Sequence, residues 1–320
     1  MKNSILFFLF AYFSLTAFSQ EYPNLLSPTK ISTIAYFRNG DKVRYKITEE
    51  STKFKTNSEK ILSTSSSTCF LDLEVVDSTE HSYVFEAKYV SQDYQSSDGE
   101  LEKILSQLQF ESVIRYQTDE FGQFDTILNL QELKTELIEK LENSKELAAS
   151  ELEKEKAEVF SLIITNFIDR FEELEDVEAL FLTDLIEIHS IYGWQMQIGK
   201  PQDVDVYYPT IGDLSLSGTG KINLVSITKP KDEARISIST KPNKEELMDY
   251  MSSFLLLFAL DGTKRIKFSD AKVTMSTKTT YKMRLSDGWM QEIQSKSQSN
   301  VSDEKHKAKR LVTKTYVLED

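Results

Sequence analysis

The sequence predicts an α+β fold: a curved, half-barrel-like antiparallel sheet packed on helices from a mid-chain helical insertion and on one later helix. Three observations predict it. No Gly or Pro occurs between Gly122 and Gly193, and these two residues are the commonest breakers of regular structure. On both sides of that stretch, apolar and polar residues alternate with the two-residue period of half-buried strands. Strands and helices also do not follow one another in strict βαβ order, which favours antiparallel pairing with helices gathered on one face.

The chain has 320 residues, 40% hydrophobic and 11% aromatic, enough apolar material for a sizeable core. Its first residues read as a leader. Lys2 supplies a positive start, Ile5 to Leu15 a short apolar run, and Ala17-Phe18-Ser19 the small residues of a cleavage site before Gln20. The run is shorter than a membrane-spanning helix needs. The expected organisation is therefore a signal peptide over 1–19, then a single α+β domain over 20–320 with its helical insertion at about 129–190. No Cys follows the cleavage region to carry a lipid anchor, and the sole Cys, Cys69, has no partner for an internal disulfide. That usage fits a bacterial periplasm or cell exterior. The longest later apolar run, Phe254 to Leu260, is too short to cross a bilayer.

The first strands follow Gly40-Asp41. Val43, Tyr45 and Ile47 alternate with charged residues, and so do Cys69, Leu71, Leu73 and Val75. Tyr83, Phe85, Ala87 and Tyr89 give a third strand, hairpinned with the second. The Ser/Thr/Lys-rich stretch 49–66 reads as an exposed strand with a loop, and 91–100 as a polar loop before a short helix over 100–108. Phe110 to Tyr116 is a further strand. Asp119 to Gly122 is a turn, and Phe124 to Leu128 leads into the helices.

Within the insertion, Asn129 and Glu132 form an expected capping box. Leu133, Leu137 and Leu141 make one helical stripe; Phe160, Ile163, Ile164, Phe167 and Phe171 make a second, and Val177, Phe181, Leu185 and Ile188 continue it. Breaks are expected near Ala149 and Asp176. Burying each large apolar side chain contributes roughly 1.5–3 kcal/mol, which outweighs the poor stability of isolated helices. From Asn129 to Glu187 there are 17 acids and 6 bases, so most of the chain's net charge of −13 is concentrated here.

After Gly193 the strand pattern returns over 203–208, 218–227 and 234–240. Asn243 with Glu246 opens a helix over 243–261, striped by Leu247, Met251, Phe254 and Phe258. Strands follow at Val273 to Leu285, then the Asp287-Gly288 hairpin turn, Trp289 to Ile293, and Arg310 to Leu318.

Motifs for catalysis or metal binding are not found. The three His residues, His81, His189 and His306, lie far apart and have no Cys partners. Ser217-Gly218-Thr219-Gly220-Lys221 resembles the end of a phosphate loop but lacks its first Gly and its final Ser/Thr, and reads better as a hairpin turn. Asp203 and Asp205 point the same way from a strand, a pattern shared by metal sites and solvated faces alike. Asp119 and Asp125 flank a turn without the ligand spacing of a calcium loop. Lys305 to Arg310 is a basic cluster in an expected hairpin loop. Cys69 has no local cation to activate it and reads as an inert strand residue.

The leader ending Phe18-Ser19-Gln20, the strand start Gly40-Asp41-Lys42-Val43-Arg44-Tyr45, and Tyr116, Asp119, Gly122 and Phe124 before a helix resemble uncharacterised exported β-rich proteins of Gram-negative bacteria. The order of strands and helices distantly resembles the LolA-type periplasmic lipoprotein carriers. That resemblance implies a sheet curled around helices with an apolar cavity for acyl chains; no site residue carries over from it. The sequence therefore leads to a non-enzymatic exported binding protein without cofactor or metal, taking a lipid or other hydrophobic ligand in a sheet–helix cavity. An envelope component that engages partners through the acidic helical surface, around Glu151, Glu153 and Glu155, is the alternative.

Overall fold

The structure is a computed structural model that describes residues 22–55, 60–96, 112–212, 214–256, 272–302 and 307–319. The expected signal peptide, the helix over 100–108, the end of the later helix at Phe258 and the hairpin tip with His306 lie outside the described residues.

Two meanders make one antiparallel sheet. The first comprises β3 (Lys42–Lys55), β4 (Ile61–Ser78), β5 (Ser82–Ser96), β6 (Ile114–Asp119) and β7 (Phe124–Ile127). The second comprises β9 (Gln202–Tyr208), β10 (Leu216–Thr228), β11 (Glu233–Pro242), β12 (Lys272–Arg284), β13 (Met290–Ser302) and β14 (Lys307–Glu319). The last strand lies beside the first strand of the first meander, which gives an 11-stranded order β7-β6-β5-β4-β3-β14-β13-β12-β11-β10-β9. β14 and β3 pair antiparallel from Ala308–Lys55 to Glu319–Arg44. The sheet is curved and not closed into a barrel. Short strands β1 (Leu25–Ser27), β2 (Lys30–Ser32) and β8 (Gln195–Gln197) form a separate 3-stranded sheet.

Between β7 and β9, the two edges of the large sheet, run α1 (Leu130–Glu151), α2 (Lys154–Arg170) and α3 (Leu174–His189). The insertion is thus three helices, with breaks at Leu152–Glu153 and at Phe171–Glu173. Their stripes are buried as the spacing predicts: Leu133, Leu137 and Leu141 on α1, Phe160 and Ile164 on α2, and Val177, Phe181, Leu185 and Ile188 on α3. They pack with Tyr45, Leu71, Phe85, Tyr281, Ile293 and Tyr316 of the sheet in one core. A ring cluster around Phe37 locks the first meander to the turn after β12. Its centroid is 5.5 Å from Phe85 and 4.1 Å from Trp289. Gly288, at φ +87°, lets that turn approach so closely that a Cβ would lie 2.5 Å from the Ile34 carbonyl oxygen.

α4 (Lys244–Leu256) covers the far end of the second meander, where Leu216, Leu247 and Val273 form a satellite cluster. Asn243 caps it as expected, accepting the Glu245 N–H at 2.9 Å. Glu246 does not reach back, however; its carboxylate takes the Ser217 N–H and hydroxyl.

Four other expectations are corrected. The Asn129 side chain does not cap α1. It accepts the Arg115 N–H and donates to the Val113 carbonyl, tying the helix start to β6. The stretch 49–66, expected as one exposed strand with a loop, supplies the ends of two long strands, 49–55 of β3 and 61–66 of β4, and 91–96, expected as a loop, continue β5. In these stretches inward positions carry polar groups such as Glu49, Ser51 and Ser65 instead of apolar ones, so the alternation that marks a strand was missing. The motif at 217–221 is no turn: it lies inside β10, paired on both sides.

Candidate functional site

The large sheet carries its helices on one face, and along that face the chemistry changes by rows. One row runs across the strands through Tyr281, Ile293, Tyr316, Ile47 and Cys69, and it is the apolar floor of the core. Two residues further along each strand the row reads Thr279, Ser295, Lys314, Glu49 and Ser67. Another two residues give Thr277, Ser297, Val312, Ser51 and Ser65. Because successive residues alternate between faces, these hydroxyls and charges occupy inward positions.

A cavity of about 450 Å³ opens over these rows, within the size range of small-molecule sites. It lies on the inner face, between the last turns of α3 and strands β9–β14. Thr183, Ile186 and Glu187 of α3, with Ser190 just after it, roof it. Val204, Val206, Ile222, Ile238 and Met275 give it an apolar side on β9–β12, and Val312 lines it from within the Ser297 row. Thr277, Thr279, Ser295, Ser297, Lys314, Tyr281 and Tyr316 form a polar wall. Trp194 also lines it, and Tyr207, 75% exposed, stands at the side of edge strand β9. The rim is held by the loop after β9: the Gly212 N–H donates to Asp176 on α3 at 2.5 Å, and Asp176 pairs with Arg170 at 3.0 Å.

The polar wall is built around two carboxylates of α3. Asp184 accepts the hydroxyls of Tyr89 at 2.6 Å and Tyr316 at 2.7 Å and pairs with the Lys314 ammonium. Burial would push this carboxyl up, but Lys314 and the two phenols outweigh it and hold it below the usual carboxylate range. Burial likewise works to lower the Lys314 pKa, and Asp184 reverses the sign. Glu187, one turn on, accepts the Thr279 hydroxyl at 3.0 Å; here burial dominates, and its pKa is raised. Hydroxyl pairs continue the network: Thr279 with Ser295 at 3.1 Å, Thr277 with Ser297 at 2.8 Å, and Ser190 with Tyr281 at 2.8 Å.

The residues singled out in the sequence lie elsewhere and are structural. His189 is buried, with Nδ1 2.7 Å from the Gly122 carbonyl and Nε2 3.0 Å from the Tyr116 hydroxyl. Nδ1–H therefore donates and Nε2 accepts, and burial lowers the pKa to about 4. Asp203 is exposed on the outer face and pairs with Lys221 at 3.3 Å. Asp119 accepts the N–H groups of Phe121 and Gln123 to fix its own turn, and Asp125 accepts from Gln117. Of the basic cluster, the described part lies in β14, where Arg310 donates to the Ser51 hydroxyl. Burial pushes the Cys69 thiol up to about 11, as an inert residue requires. Among the described residues no group of three or more His, Cys, Asp or Glu is placed to hold a metal ion.

The cavity does not use the helical stripe from Phe160 to Phe171; Phe160, Ile164 and Phe171 are spent on the core. Its residues went unread because α3's acids look like solvent-facing charge and the hydroxyls on the strands look like solvent-facing strand positions. A signal was nevertheless present: Thr277 and Thr279 continue the parity of Tyr281 and Met283, as Ser295 and Ser297 continue that of Ile293.

No protein-family description and no curated protein matches the chain. Among solved structures it overlaps one reported for lipid–protein interactions in lipovitellin, with a TM-score of 0.43 and 10% identity, over 89% of this chain. The chain spans 25% of the length of that lipovitellin chain. It also overlaps an outer membrane channel from Pseudomonas putida F1, with a TM-score of 0.22 and 8% identity, over 89% of this chain and 98% of that one. Likenesses this distant carry neither ligand nor activity across. Among the described residues no helix is long and apolar enough to cross a membrane.

Proposed function

We propose that the protein is an exported, non-enzymatic binding protein that holds an amphiphilic small molecule between α3 and strands β9–β14. One observation carries the reading: the 450 Å³ cavity has its lining divided between five aliphatic or thioether side chains of β9–β12 and a bonded set of hydroxyls and charges. A purely apolar ligand would leave the second group facing hydrocarbon, and a purely polar one would waste the first. Catalysis is disfavoured because the candidate acid–base groups are already committed. Both nitrogens of His189 are bonded, and Asp184 is saturated by an ammonium and two phenols. Export rests on the leader at 1–19.

Two measurements test the reading. Solvent extraction of the purified chain followed by mass spectrometry should release a co-purified amphiphile. Titration with dodecanol should change the emission of Trp194, which lines the cavity. Ile238→Trp fills the apolar wall and is expected to weaken dodecanol at least tenfold while circular dichroism stays unchanged. An empty extract together with a flat titration would remove the proposal.

A further inference from the structure

Resting on that reading, we propose that the polar wall selects an amphiphile with a cationic amine head, seated against Glu187, over one with a carboxylate or phosphate head. The argument is a charge count at short range. Three charged residues line the cavity: Asp205, Glu187 and Lys314. The one cation is not available to a ligand anion, because Lys314 is bound to Asp184 and stands 3.9 Å from the Glu49 carboxylate. Around this single ammonium there are thus three carboxylates, Asp184, Glu187 and Glu49, whereas Asp205 is exposed and shares the outward parity of Asp203 on β9.

A ligand carboxylate placed here would meet uncompensated negative charge in a partly dry site, where like charges repel strongly. A ligand ammonium would meet the reverse. It supplies the cation that Glu187 lacks, and its N–H groups can donate to the Glu187 carboxylate and to hydroxyl oxygens of Thr277 and Ser297 beside it. The chain of such a ligand would then lie along Val204, Val206, Ile222, Ile238 and Met275, which line the same space from neighbouring inward positions on β9–β12. A buried carboxylate that gains a partner is stabilised as the anion, so amine binding and Glu187 ionisation reinforce each other. The groups that bear on Glu187 are Lys314, which favours its ionisation, Asp184, which opposes it, and the hydroxyls of Thr279 and Ser295, which donate to it. Tyr281 and Tyr316 lie within its field as neutral phenols, their own pKa values raised chiefly by burial.

The test uses the full chain and three probes of one tail length, dodecylamine, dodecanol and dodecanoate, each below its micellar concentration, read by Trp194 fluorescence and by calorimetry at pH 7.5. Dodecylamine is expected to bind at least tenfold more tightly than dodecanoate, with dodecanol between them. Glu187→Gln keeps an acceptor for the Thr279 hydroxyl and should collapse the amine-to-alcohol affinity ratio toward one. Acidification to pH 5 should weaken the amine in the wild type and leave the variant flat. Dodecanoate binding as tightly as the amine overturns the inference and leaves the amphiphile reading standing. An unchanged amine-to-alcohol ratio in Glu187→Gln does the same. Failure of all three probes to bind overturns both. The wild-type comparison needs no variant, so a Glu187→Gln chain that does not fold leaves the proposal fully exposed to the amine-against-carboxylate result.

Discussion

His189 shows how a single residue can be conspicuous in the sequence and settled by its surroundings. Its ring is buried against Phe85 and Tyr116, donates to Gly122 and accepts from Tyr116. The ring stays neutral because no anion offsets the cost of burying a cation. The folded pKa of about 4 lies below the ordinary 6.5. The unfolded chain thus takes up a proton at a pH where the native chain does not. Stability is complete above about pH 6.5 and declines as the pH falls toward 4, by about 3 kcal/mol for this group. Urea unfolding at pH 7 and pH 4.5 in wild type and His189→Gln should show the variant losing less on acidification; parallel losses would remove the assignment. Lys314 makes the complementary case. Lys314→Met leaves Asp184 buried without its cation and should cost about 3–5 kcal/mol, while Asp184→Asn in the same chain should recover much of that. The two unfolding midpoints decide it: no recovery in the double variant would mean that Lys314 acts through packing alone.

At the scale of elements, α3 does most to define the molecule. One of its faces fills the core with Val177, Phe181, Leu185 and Ile188. The adjoining positions Thr183, Ile186, Glu187 and Ser190 roof the cavity. The stripe was legible because 3.6-residue periodicity is a local property of the chain. The second role was not, because an acid at a helix position reads as solvated until the partner strand is known. The strands divide in the same way. Those with apolar inward positions, such as Leu71 to Val75, declare themselves, whereas 61–66 does so only through its hydrogen-bonded neighbours on β3 and β5. The capping boxes teach a related lesson: Asn243 caps α4, but at Asn129 the exposed backbone of β6 competes for the same amide and wins. On β10, Gly218 and Gly220 are demanded by close approach: a Cβ on Gly220 would lie 2.6 Å from the Ser239 carbonyl oxygen and 3.1 Å from Val204. Gly220→Val should therefore force β9, β10 and β11 apart, cost about 1–3 kcal/mol as overpacking does, and weaken dodecanol binding, since Val204 lines the cavity. Stability and binding both unchanged would show that these strands yield freely.

For the whole molecule, the decisive joint is the pairing of β14 with β3. It connects residues more than 250 positions apart, Arg44 with Glu319 and Lys55 with Ala308. It turns two meanders, each readable from its turns and alternation, into one sheet. Nothing local in the sequence specifies it, since inter-strand partners at such separation leave no periodic trace. The same joint sets Lys314 between Asp184 of α3 and Glu49 of β3, so the polar wall of the cavity exists only when the sheet is complete. A contact of such sequence separation carries a large loop-closure cost before it is rewarded, which makes it a late and slow event. Deleting 307–320 should leave the first meander's Tyr45, Leu71 and Phe85 without the Tyr316 row against which they pack, and β3 and β13 would each gain an unpaired edge. The truncated chain is expected to lose the sharp urea transition of the full chain, bind dodecanol at least tenfold less tightly, and associate through its open edges on a sizing column. Adding the 307–320 peptide in trans should restore part of the transition, because strand pairing is main-chain chemistry that needs no covalent link. A truncated chain that unfolds as cooperatively as the parent would show that the two meanders are independent folding units, and that the cavity belongs to the second alone.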